Sequence, residues 1–154
     1  MKRKYWMFIV LGIGGIAIAW WLLSPLFITK TVDEKAPVVA EIVQEEQVTT
    51  YAGMFVEVDN IHNITGNAKT VMADGKTYIR FEEFEVTNGP DLNVYVVKEG
   101  MDTSEGIDLG KLKGNKGNQN YEIPSDVDLM EYNKVVVWCR AFDVNFGHVV
   151  LEKQ

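Results

Sequence analysis

The sequence predicts an all-β domain, an antiparallel β-sandwich or barrel, preceded by one N-terminal transmembrane helix and a short stalk. Beyond residue 50, turn signals recur about every ten residues, and the runs between them are short and rich in Val, Ile, Tyr, Phe and Thr, as in sandwiches and barrels. A long apolar run near the N-terminus predicts the helix. We therefore divide the chain into a signal anchor at 1–28, a stalk linker at 29–50 and a β-domain at 51–154.

The N-terminal apolar run has the length of a membrane span. Residues 1–4 carry three positive charges, and the 19 residues at 5–23 carry none. A helix of about 20 apolar residues crosses the hydrocarbon core of a bilayer, and Tyr or Trp residues mark both ends of this run, as they do at membrane interfaces. We expect residues 5–23 to lie in the lipid bilayer of the cell membrane as a single pass. The N-terminus is then cytoplasmic and the C-terminal domain is extracytoplasmic.

A cleaved signal peptide is the alternative interpretation of this run. The apolar core of such a peptide spans about 7–15 residues and ends at a small-x-small site. The sequence Ser-Pro-Leu-Phe at 24–27 offers no such site. No cysteine follows the run before Cys139, which excludes a bacterial lipoprotein. We therefore expect an uncleaved signal anchor.

Residues 29–50 are interpreted as a stalk. Within it, Val38, Val39, Ile42 and Val43 have the spacing of a short amphipathic helix that leans on the domain.

The charge of the exported part excludes one class of partner. Without the three N-terminal basic residues, 12 Lys and Arg face 22 Asp and Glu, a net charge of −10. Such a surface repels phosphate backbones, so we expect no nucleic-acid partner.

The first strands of the domain are predicted from one hairpin turn and one change of phase. Asp74-Gly75 separates two strand-like runs and predicts a two-residue turn with positive φ at both positions. After the turn, Ile79 and Phe81 share one face, whereas Phe84 and Val86 fall on the other. This change predicts a β-bulge or a crossing between sheets.

The remaining strands follow from alternation between turn residues. The sequence Asn-Gly-Pro at 88–90 breaks the chain before a strand in which Leu92, Val94 and Val96 face inward. Further strands are predicted at 55–58, 107–112, 120–123, 134–140 and 146–151. The glycine-rich stretch at 113–120 lacks the Gly-Lys-Ser/Thr ending of a phosphate loop, so we interpret it as a turn whose side chains satisfy their own backbone.

Cys139 is the only cysteine and therefore cannot form an internal disulfide. Strict alternation places it on one strand face with Val135, Val137 and Ala141. A thiol among valines is most simply a small buried hydrophobe. A reactive thiol, a cofactor or metal ligand and an intermolecular disulfide stay open as alternatives. Arg140 points to the opposite face of an ideal strand, away from the thiol.

Three segments resemble the DM-thirteen domain family, also called the electron-transfer DM domain, over essentially the whole globular part. They are Asn-Gly-Pro-Asp-Leu-Asn-Val-Tyr-Val at 88–96, Leu-Gly-Lys-Leu-Lys-Gly-Asn-Lys-Gly-Asn-Gln-Asn-Tyr-Glu-Ile-Pro at 109–124, and Val-Val-Val-Trp-Cys-Arg-Ala-Phe-Asp-Val-Asn-Phe-Gly at 135–147. The resemblance implies an all-β extracytoplasmic domain with Cys139 as its signature cysteine. It also implies a redox role for Cys139, as a bare thiol or as a ligand to a prosthetic group such as haem. The DOMON domain that often accompanies this family is not seen here, so an electron-transfer partner would be another protein.

His148 is the residue that we pair with Cys139 as a hypothetical cofactor-binding site. If Asp143-Val144 formed a two-residue turn, Cys139 and His148 would lie opposite each other on neighbouring strands. A competing interpretation continues one alternating strand through 142–146. No Cys-x-x-Cys-His occurs, which excludes covalent c-type haem, and no metal site is predicted because ligands at usable spacing are lacking.

Two functions follow. The first is a membrane-anchored DM-thirteen-like domain for redox or electron transfer through Cys139, with a redox or surface protein as partner. The alternative is a non-enzymatic cell-surface binding or scaffolding domain in which Cys139 is a structural core residue. A self-contained enzyme is not expected, since no nucleophile, base and orienting group form a recognisable set.

Overall fold

The computed structural model describes residues 2–24, 27–37 and 50–154. Helix α1 spans Lys2–Leu23, and ten strands occupy the described part of the domain. The strands are β1 (Tyr51–Met54), β2 (Val56–Glu57), β3 (Ile64–Ala73), β4 (Lys76–Val86), β5 (Leu92–Val97), β6 (Ile107–Lys111), β7 (Gln119–Ile123), β8 (Lys134–Cys139), β9 (Val144–Val150) and β10 (Glu152–Lys153).

The strands form two five-stranded sheets. The first sheet has the order β10-β1-β3-β4-β7 and the second has the order β2-β9-β8-β5-β6. Every pairing within the two sheets is antiparallel. Inward-facing side chains of both sheets form one apolar core. The predicted all-β antiparallel fold is confirmed, and of the two predicted architectures it is the sandwich.

Alternation along the strands builds this core. Leu92, Val94 and Val96 of β5 face inward as predicted. Three phenylalanines pack at its centre, with ring centroids 4.8 Å apart for Phe55 and Phe81 and 5.1 Å apart for Phe55 and Phe84 in edge-on geometry. Such aromatic pairs add about 0.5–1.5 kcal/mol to what area burial alone contributes.

The predicted hairpin turn and phase change are both present. Asp74 and Gly75 have φ values of 51° and 71°, as the two-residue turn between β3 and β4 requires. Farther along β4 the register shifts by one residue, and Glu83 adopts a φ of 51°. This bulge keeps Phe81 and Phe84 both in the core despite their odd spacing.

Helix α1 covers the predicted apolar run, and all of its described side chains are exposed. Across residues 2–24, 27–37 and 50–154, no helix meets the length and apolarity needed for a membrane crossing.

The first part of the predicted stalk contacts the β-domain. We call residues 30–35 the docked segment and residues 113–120 the receiving loop. Val32 N donates to Lys116 O at 2.8 Å, and Glu34 N donates to Asn118 O at 2.9 Å. Thr31 forms an isolated parallel bridge with Lys116. The stalk prediction did not include this contact, and the short helix predicted around 38–43 lies outside the described residues.

Candidate functional site

Cys139 ends strand β8 inside the core. Its exposed fraction is 0%, and the thiol is free of any disulfide. Val135 and Val137 share its inward face, whereas Val136 and Trp138 face outward in a separate cluster. The predicted alternation is therefore confirmed. Because solvent does not reach the sulfur, a bulky reagent or a partner thiol cannot reach it either without local opening.

The turn after Cys139 differs from the predicted one. Val144 pairs with Cys139 across β8 and β9, so the turn consists of residues 140–143, with Asp143 at a φ of 54°. Phe142 N donates to Cys139 O at 3.3 Å. Strand β9 therefore begins two residues earlier than predicted.

The predicted juxtaposition of Cys139 and His148 is wrong. His148 pairs with Val136 on one side and with Val56 on the other. A bulge in β9 adds to the displacement, because the register passes from Val137↔Gly147 directly to Trp138↔Asn145. His148 accordingly shares the outward face of Val136, while Cys139 faces the core.

This arrangement does not fit one haem iron held by both residues, because a sheet separates the imidazole from the thiol. Burial lowers the pKa of His148, and the nearby Lys134 charge lowers it further. In the part of the chain that the structure describes, no group of three or more His, Cys, Asp or Glu side chains could hold a metal ion.

The outward face of the sheet next to Cys139 carries a pair of aromatic rings and a cluster of charged side chains. Tyr95 and Trp138 pack edge-on with ring centroids 5.2 Å apart. Tyr95 OH donates to Asp108 Oδ2 at 3.1 Å. Burial is the largest cause that raises the pKa of Tyr95, and this hydrogen bond raises it further. Arg140 Nε lies 3.3 Å from Asp91 Oδ2, and Arg140 Nη1 lies 3.6 Å from Asp108 Oδ2. Arg140 thus pairs with two carboxylates.

A cavity of about 330 Å³ opens beside this cluster. Its apolar lining includes Ile28, Pro90, Leu92 and Leu112, and its charged lining includes Lys30, Asp91, Lys111 and Lys113. Leu92 is also the cross-strand partner of Cys139 on β5. Leu92 therefore lies between Cys139 and the cavity as the cross-strand neighbour of one and part of the wall of the other. The volume of the cavity is at the small end of the range found for ligand-binding sites. Sequence reasoning missed this cavity because its walls come from three separate parts of the chain.

The docked segment is held by charge as well as by backbone bonds. Lys113 Nζ donates to both carboxylate oxygens of Glu34 at 2.9 Å, and Asn120 N donates to Glu34 Oε2 at 2.8 Å. Burial raises the pKa of Glu34, but these bonds outweigh it and hold the pKa below its usual value. Arg80, only 6% exposed, donates from Nη1 to Glu34 O at 3.0 Å.

The receiving loop is shaped by its own side chains, as predicted. Gln119 Nε2 donates to Gly114 O at 2.7 Å, and Gly114 N donates back to Gln119 Oε1 at 3.0 Å. Tyr121 OH also donates to Gln119 Oε1, at 2.8 Å. Two loop glycines leave room for the docked segment, since an added Cβ would lie 2.5 Å from Lys30 O at Gly114 and 2.0 Å from Val32 O at Gly117.

His62, the second histidine, forms a local pair with a carboxylate. Its Nδ1 lies 2.7 Å from Asp59 Oδ2, and its ring packs on Phe146 with centroids 4.1 Å apart. Hydrogen bonds from the His62 backbone and ring, together with one from Ile61 N, lower the pKa of Asp59 to about 2. The His62–Asp59 pair lies in the loop that follows β2. It does not join Cys139 in a metal-binding group of described residues.

Comparison with known proteins identifies the domain. A family model described as electron transfer DM13 matches residues 54–151. Neither the curated proteins nor the solved structures include a match to this chain. The matched region contains Cys139, Leu92 and the receiving loop, but it begins after the docked segment.

Proposed function

Because the chain belongs to the DM13 electron-transfer family, we propose that it is a membrane-anchored extracytoplasmic module that passes electrons through Cys139. The observation that carries the proposal is the family match across residues 54–151, which include Cys139 on the core strand β8. We propose a separate redox protein as its partner.

The proposed anchor is α1. Support comes from the uncharged apolar residues at 5–23 and from the three basic residues that precede them. Apolar side chains are exposed on every side of the helix, as the consecutive residues Trp6, Met7, Phe8 and Ile9 show. A helix that is apolar on every face requires an apolar surrounding, which lipid supplies. The basic N-terminus would then stay in the cytoplasm and the sandwich would lie outside.

The burial of Cys139 limits the kind of redox chemistry that we propose. In thiol–disulfide exchange the Cys139 thiolate would attack a disulfide of the partner protein, form a mixed disulfide with one of its sulfurs and release the other sulfur as a thiolate, so the fully buried thiol takes part only after local opening. The cavity beside Leu92 offers a route for such opening, because Leu92 both lines it and pairs with Cys139. We therefore propose that Leu92 controls access to the thiol.

A second function is favoured by one specific observation. Cys139 packs in the core with valines on its own strand, as a purely structural residue would. The chain would then be a surface binding or scaffolding domain, and its exposed loops would carry the function.

Trapping the oxidation state of Cys139 distinguishes the two functions. Native membranes would be poised at defined potentials, quenched in acid, denatured and alkylated, and Cys139 would then be quantified by mass spectrometry. Electron transfer through the thiol predicts a reduced fraction that follows the applied potential. A thiol that stays fully reduced at every potential would favour the structural cysteine and the binding domain.

A further inference from the structure

We propose that one end of the sandwich rests on the lipid bilayer and inserts Phe142 into its interface, an inference that rests on the proposed anchoring by α1. We call the loops at 58–63, 87–91, 112–118 and 140–143 the helix-side end, because the residues following α1 share a cavity with 87–91 and hydrogen-bond to 112–118. The opposite loops, at 74–75, 98–106 and 124–133, form the far end.

The short connection to α1 decides which end faces the bilayer. Ser24 and Ile28 line the same cavity as Asp91 and Lys111, so the chain leaves the helix directly onto the helix-side end. Only residues 24–29 separate Leu23 from docked Lys30, and six residues span at most about 20 Å. The docked segment therefore holds this end close to the membrane surface.

The tip of the β8–β9 turn supplies the apolar contact. Phe142 is 70% exposed, although it follows the buried Cys139 by only three residues. Arg140 N donates to Asp91 O at 3.1 Å, which places the turn beside the cavity that Ile28 lines. Phe27 and Ile28 are exposed next to this cavity as well. Aromatic rings with basic neighbours are typical of contacts with the membrane interface.

The distribution of charge supports the same orientation. The far-end loops carry seven acidic residues and one basic residue, whereas the helix-side loops carry three of each. The acidic residues of the far end are Asp74, Glu99, Asp102, Glu105, Asp126, Asp128 and Glu131. An anionic bilayer repels that end and leaves the neutral helix-side end as the one that approaches lipid.

Spin labels on the full chain test the proposal in vesicles of phosphatidylcholine and phosphatidylglycerol. A nitroxide is attached at Phe142→Cys, at Met130→Cys on the far end, which is 78% exposed, and at Ile16→Cys within α1. The unsubstituted chain is treated in parallel to measure any labelling of Cys139. Collisions with oxygen report lipid, and collisions with a water-soluble nickel chelate report solvent.

We expect the Phe142→Cys label to meet the nickel chelate at least about twofold less often than the Met130→Cys label, since interfacial groups lie below the headgroup surface. The Ile16→Cys label should meet oxygen and not nickel. If the Ile16→Cys label behaves as solvent-exposed, the anchoring itself fails. If that label is in lipid while Phe142→Cys and Met130→Cys give equal nickel collisions, the anchoring stands and the docking is overturned. Protection of Phe142→Cys from both reagents would also overturn it, because protein rather than lipid would then cover the turn.

Discussion

Replacing Gly117 with alanine should release the docked segment while leaving the sandwich folded. Gly117 has a φ of 100°, and an added Cβ would lie 2.0 Å from Val32 O. Since real Cβ atoms do not approach a backbone oxygen so closely, the segment must move away from the loop. Gly110 is the matched control, because its φ is 106° and a Cβ there meets nothing within 4 Å.

The magnitude follows from comparing these two variants. Backbone strain of about 1–3 kcal/mol applies to both alanines, because both adopt a left-handed φ. Only Gly117→Ala also loses the backbone bonds from Val32 N to Lys116 O, from Lys116 N to Lys30 O and from Glu34 N to Asn118 O. At about 0.5–1.5 kcal/mol net for each bond, the loss of these three backbone bonds alone should make Gly117→Ala cost roughly 2–4 kcal/mol more than Gly110→Ala. Loss of the bonds from Lys113 and Asn120 to the Glu34 carboxylate adds to this difference.

Two measurements on the full chain in detergent check this prediction. Urea unfolding gives the free-energy difference between the variants, and amide hydrogen exchange gives the protection of Val32 and Glu34. We expect both amides to exchange much faster in Gly117→Ala, with strand β8 still protected. Equal unfolding free energies for the two variants, with Val32 and Glu34 still protected, would refute the account of the docked segment.

Three further predictions concern two charged residues, Glu34 and Arg80, and the cavity residue Leu92. The pKa of Glu34 is held below its ordinary value of 4.5, so docking is fully stabilised above that pH and weakens as pH falls through the lowered pKa. The protection factor of the Val32 amide, its exchange rate corrected for the intrinsic rate at each pH, should therefore fall in acid; Glu34→Gln should remove that fall, whereas an unchanged acid response would contradict the assignment. Arg80→Met removes the buried bond to Glu34 O and should cost about 1–3 kcal/mol of unfolding free energy, so a variant as stable as the parent would argue against it. Leu92→Ala should cost about 2–5 kcal/mol of unfolding free energy and should accelerate the reaction of Cys139 with a thiol reagent. The control Leu151→Ala, elsewhere in the core, should not accelerate this reaction when the two variants are compared at equal stability; equal rates for both would mean that Leu92 does not control access to the thiol.

The sequence predicts the sandwich well because its signals are local. Alternation in β5 and β8 and the Asp74-Gly75 turn depend on neighbouring residues, and the structure confirms them. The inward direction of Cys139 follows from the same alternation. The resemblance carried by three motif segments is likewise confirmed by the family match.

Features that depend on distant parts of the chain were missed. The position of His148 required both the length of the 140–143 turn and a bulge in β9, and neither has a strong local signal. The docked segment required knowing that Glu34 meets Lys113 and Asn120 across about 80 intervening residues. The cavity beside Leu92 has walls from three chain segments, so periodicity within any one strand could not predict it.

The most direct test of electron transfer through Cys139 is a redox titration, in glutathione buffers of defined potential, of the full chain purified from its native membrane; there the Cys139 thiolate attacks oxidised glutathione, forms a mixed disulfide and releases one glutathione thiolate. The parent chain and Cys139→Ser would be titrated side by side, with Val150→Ala, a half-exposed position of β9, as the folding control. The account predicts that the parent and Val150→Ala exchange electrons reversibly and that Cys139→Ser does not. Identical electron uptake by the parent and Cys139→Ser, or no uptake by the parent, would contradict it.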